Sequence, residues 1–212
     1  MQAIERIITN NNWITLVIVF AVILLAIMKL LKPTKLFGYT VAFVTPSFFK
    51  KRVENNVSSR TPFQLLLSFF SVIIISLFVF LILYPINNNE FFDYLLLFCF
   101  VAIYFVGKII LDNILINVLG ISILAKYFLT TKYGYLKNLA LWLFPAIILY
   151  QYAFLNKLFL LVFFGILFIF RAFLIVKNNK KIVISKLFYF ILYFCTLEIA
   201  PLLIVYKVTT FT

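Results

Sequence analysis

Between Lys186 and Lys207 the chain runs LFYFILYFCTLEIAPLLIVY, 20 residues with a single charge. The hydrocarbon core of a bilayer is about 30 Å thick, and a helix rising about 1.5 Å per residue crosses it in about 20 apolar residues. Such runs recur along the chain, and they constrain it more than any other feature. In lipid every backbone N–H and C=O needs a partner within the protein, so each run must be a helix. The composition agrees: 66% of the 212 residues are hydrophobic, 12% are charged, and the mean hydropathy is +1.16. Water-soluble domains hold about 45–50% apolar and about 25% charged residues. A transmembrane β-barrel would alternate polar and apolar positions, whereas these runs are continuous. The expected fold is all-α, a polytopic transmembrane helix bundle of about six spans.

The spans are expected near 13–31, 62–84, 91–110, 137–153, 158–176 and 182–206, forming one transmembrane domain over 1–212. The first is not expected to be a cleaved signal peptide, because lysines and Pro33 follow it where small residues should stand. Between spans one and two, LFGYTVAFVTPSFF is too short to cross and lies between basic clusters; it reads as an interfacial segment. A plain loop is the alternative. The stretch 111–136 is apolar but broken by Asp112, Asn113, Asn117, Gly120, Lys126 and Lys132. It reads as the third helix running on into an amphipathic or partly inserted segment, with a seventh span as the alternative.

The net charge is +13, from 19 Lys and Arg against 6 Asp and Glu. The cations fall in short connections, as lysines and arginines do on the cytoplasmic side of membrane proteins, so nucleic acid is not an expected partner. The connections after spans one, three and five carry six, three (Lys126, Lys132, Lys137) and three (Lys177, Lys180, Lys181) cations. Those after spans two and four carry none and one (Lys157). Both termini are therefore expected on the non-cytoplasmic side. Lys50, Lys51 and Arg52 are candidates for holding anionic lipid head groups.

The chain has no His, which removes the commonest metal ligand and general base. Its two cysteines, Cys99 and Cys195, form no CxxC, and the phosphate-binding, nucleophile-elbow and zinc-protease motifs are absent. No cofactor, metal or catalytic set is expected.

The candidate residues are the charges inside spans. Glu198 lies roughly 12 Å within the outer boundary, too deep for its short side chain to reach water easily. Pro201, three residues on, removes a backbone bond and allows a bend there. Pro145 does the same near the middle of span four. Lys108 and Asp112 are four apart and share a helix face, with Tyr104 one turn earlier. Arg171 lies five residues before the inner end of span five. These charges suggest either a Lys108–Asp112–Arg171 cluster between spans three and five or ordinary snorkelling at helix ends.

The segment CTLEIAP from Cys195 to Pro201, followed by Tyr206 and Lys207, resembles a family of bacteroidete integral membrane proteins catalogued as a domain of unknown function. The spacing of Tyr104 and Lys108, Pro145 and Arg171 fit the same resemblance, with Ala200 smaller than the Leu or Ile expected. The resemblance implies the bacterial inner membrane and assigns no reaction. The expected function is a non-catalytic inner-membrane subunit that scaffolds or regulates an envelope machine, such as one for protein export or envelope biogenesis. Its expected partners are the lipid bilayer and other membrane proteins in a hetero-complex. The alternative is a small proton- or ion-coupled transporter using Glu198.

Overall fold

A computed structural model describes residues 12–43, 61–83, 91–119, 122–153 and 156–178. Six α-helices follow in order: α1 (Asn12–Leu31), α2 (Pro33–Thr40), α3 (Pro62–Leu83), α4 (Phe91–Leu119), α5 (Ser122–Tyr152) and α6 (Lys157–Asn178). A single 3-10 turn, Val41–Phe43, follows α2. No strand occurs among the described residues. By length and composition four of the helices can cross a bilayer, over Trp13–Leu31, Pro62–Leu83, Phe91–Ile114 and Lys157–Ile175. The protein is a multi-pass membrane helix bundle.

Aromatic and polar contacts fix which helix ends lie together. At one end the Trp13 ring sits 5.2 Å from both Phe80 and Tyr94, and Phe91 is 6.0 Å away. There the Tyr152 hydroxyl reaches Thr15 at 3.0 Å, and the Lys157 ammonium donates to the Ile82 carbonyl at 3.2 Å. At the other end Tyr39 lies against Phe63, and Lys137 donates to the Gln64 carbonyl at 3.5 Å. The long helices therefore alternate in direction: α1, α4 and α6 run one way, α3 and α5 the other. Short connections between apolar helices permit little else.

The centre of the bundle is α3 and α5. The span of α3 is 56% buried, against 6% for α4. Lipid is as apolar as leucine, so close packing rather than expulsion from water must hold these helices together. Interdigitated rings supply it, with Phe70 against Phe144 at 5.7 Å and Phe78 against Phe164 at 4.4 Å. Such pairs contribute about 0.5–1.5 kcal/mol each beyond buried area. Polar side chains in the apolar part turn onto the backbone: Ser71 donates to the Leu67 carbonyl at 2.7 Å, and Ser76 to that of Ile73 at 2.9 Å.

The interfacial segment expected after span one begins as α2, which starts one residue after α1 ends. Pro33, with its φ preset for a first turn, opens it. The helix does not lie loose. Tyr39 and Ala42 are buried, and the Trp142 indole N–H on α5 donates to the Thr40 carbonyl at 3.1 Å.

The broken stretch 111–136 divides between two continuous helices. α4 continues to Leu119, and α5 starts at Ser122 and runs unbroken through Pro145 to Tyr152. This corrects one step of the charge count above. Lys126, Lys132 and Lys137 were counted as cations of a connecting loop, but they lie within α5. Local polarity resembled a loop because Thr131, Lys132 and Asn138 of α5 are buried inside the bundle instead of facing water.

Candidate functional site

Asp112 lies on α4 and Lys132 and Tyr133 on α5, so the site is built where two long antiparallel helices pass each other. Asp112 and Lys132 are each only 2% exposed. The Lys132 ammonium stands 3.6 Å from Asp112 Oδ2, and the Tyr133 hydroxyl donates to the same oxygen at 2.5 Å. The ammonium also lies 5.9 Å from the centre of the Tyr133 ring. One carboxylate oxygen thus receives both a charge and a short hydrogen bond. Bonds to an ionised acceptor are roughly twice as strong as neutral ones. Taking both ions out of water is costly, and the surplus over their attraction is small. Removing either partner alone is another matter, because it strands a buried charge.

The arrangement differs from the cluster suggested above. The ion pair joins Asp112 to Lys132, a residue first read as a loop cation. Lys108 places its ammonium 5.7 Å from the centre of the Tyr104 ring one turn earlier on α4. Arg171, on α6, is 6% exposed and sets its guanidinium 5.9 Å from the Phe168 ring. Tyr104 itself is on an exposed part of α4, and Pro145 is an exposed interior residue of α5. Glu198, Pro201, Lys50, Lys51 and Arg52 lie outside the described residues.

Sequence reasoning missed the polar side of α5. Thr131, Lys132, Tyr135 and Asn138 are all buried. Thr131, Tyr135 and Asn138 are spaced four and three apart, which puts them on one face. That period was legible in the residues but was cut by treating 111–136 as a break. Asn138 is fully buried, and neither atom of its side-chain amide makes a hydrogen bond. Gln64, whose carbonyl receives Lys137, is buried on α3 at the same level. Among the described residues no group of three or more His, Cys, Asp or Glu side chains is placed to hold a metal ion.

Four helices of bilayer-crossing length and composition define a polytopic helical membrane protein. Residues 14–209 match the family described as Domain of unknown function (DUF4271), which covers nearly the whole chain. The chain belongs to that family. No match was found among curated proteins or among solved structures.

Proposed function

We propose that the protein is a non-catalytic subunit of the bacterial inner membrane that scaffolds or regulates an envelope machine by docking a second membrane protein against α4. The observation that carries this reading is the contrast within α4. Its inner part is fixed to α5 by the buried Asp112–Lys132 pair, while its span is almost entirely unburied. Phe92, Leu96, Phe100 and Ile103 follow at helical spacing, and all are well exposed. Tyr94 and Phe98 pack the opposite face of α4 on its neighbours, so the helix is held at both ends and presents a fixed apolar surface. The buried acid supports the same reading, since its partners Lys132 and Tyr133 tie α4 to α5.

The test is site-directed photocrosslinking in native membranes, with a photoreactive residue at Phe100 or Ile103. The expected result is one discrete protein adduct at these positions and none at Val162 on α6, also exposed. Lipid adducts alone at Phe100 and Ile103, with a clean monomer in every mild detergent, would count decisively against a docking role. Ion-coupled flux in liposomes that disappears in Glu198→Gln would favour transport instead.

A further inference from the structure

We infer that the corner between α1 and α2 is a binding site for one anionic phospholipid, a contact independent of any protein partner on α4. Lys29 and Lys32 are both exposed there, with Lys35 three residues further on. From Arg6 to Val53 the sequence contains no acid, so this corner carries positive charge that no neighbour along the chain offsets. The backbone makes the corner tight. The Lys32 amide donates to the Met28 carbonyl at 3.1 Å, and the Leu36 amide to that of Lys32 at 3.2 Å. The buried Tyr39 and the Trp142–Thr40 bond then hold α2 in place. The two ammonium groups are thus presented from a fixed turn.

An apolar track leads to them. Ile23, Ile27 and Leu30 follow on α1 at spacings of four and three and are exposed, Leu30 at 85%. Leu31 on α1 and Phe37 on α2 are exposed as well. A molecule with acyl chains along α1 and a phosphate at Lys29 and Lys32 matches both features. A free phosphate would use only the second. A lysine at the end of a helix also complements the helix dipole, but that accounts for Lys29 alone and not for Lys32 beyond the helix end.

Trp142 reports on lipid along α2, because its exposed indole is bonded to Thr40 at the end of that helix away from Lys32. The full-length protein is reconstituted in phosphatidylcholine vesicles containing a small fraction of brominated phosphatidylglycerol or, separately, brominated phosphatidylcholine. Bromine quenches tryptophan emission on contact. Trp13, at the opposite end of the bundle, is replaced by Phe in every sample so that Trp142 is the one emitter. The brominated anionic lipid should quench Trp142 at a lower mole fraction than the zwitterionic one. Each lysine near an anionic lipid contributes roughly a fivefold preference. K29Q/K32Q should therefore erase most of the difference, while K29R/K32R should retain it. Equal quenching by both lipids with Lys29 and Lys32 in place would overturn the site, as would a preference that survives K29Q/K32Q. So would loss of the preference on adding excess inorganic phosphate to the protein with both lysines, which would identify a soluble anion as the occupant.

Discussion

At the scale of single residues, the Asp112–Lys132 pair gives the sharpest expectations. Asp112→Asn leaves the Lys132 ammonium buried against a neutral group. It should lower stability by about 3–5 kcal/mol, the usual cost of halving a buried pair. Combining it with Lys132→Met removes both charges and should restore most of the loss. Reversible unfolding in mild detergent measures both. If Asp112→Asn unfolds like the native protein, the pair does not join α4 to α5. Asn138 points the other way. An amide buried without partners costs about 1–3 kcal/mol. Asn138→Leu should therefore be neutral or stabilising, and the same unfolding experiment decides it. A stabilised variant that no longer supports the protein's role in the cell would mark Asn138 as kept for function, not folding.

Among the elements, α2 depends on a few contacts. Eight residues are too few to hold a helix in isolation, so tertiary anchors must do it. Trp142→Phe keeps a ring but removes the indole donor to Thr40, at a cost of about 1 kcal/mol. Hydrogen exchange should then quicken in the amides of α2 while those of α3 stay protected. Equal exchange in both proteins would show that Tyr39 alone secures the helix. Elements defined by apolar length, unlike α2, are legible in the sequence. α1, α3 and α6 announce themselves because lipid imposes a fixed number of apolar residues. The start of α5 was hidden. Thr131 and Lys132 are buried, and a buried polar stripe and an exposed loop have the same composition. The partner of Asp112 was hidden for a related reason. Spacing along one helix identifies Lys108, whereas Lys132 comes near only once α5 is known to begin at Ser122.

Taken as a whole, the molecule has two chemically distinct ends. One gathers Trp13, Phe80, Phe91, Tyr94 and Tyr152. The other holds α2, the Lys29–Lys32 corner and the ion pair. The positive-inside rule predicts that the second end faces the interior of the cell. Single cysteines placed at Asn156 and at Lys32, in a protein with Cys99 and Cys195 replaced by serine, test the assignment. A membrane-impermeant maleimide added to intact spheroplasts should label the first and leave the second until the membrane is opened. The reverse pattern would invert the topology.

α4 and α5, at 29 and 31 residues, are both longer than α3 at 22. At about 1.5 Å per residue the excess is roughly 10 Å or more, and it falls at the end where the acid and the lysine meet. Two parallel rods pinned to each other near their tips behave as a lever. A force applied to the projecting part of either helix would tilt both rods together instead of being lost in bending. A protein pressing there would then have a mechanical handle on the opposite end of the bundle.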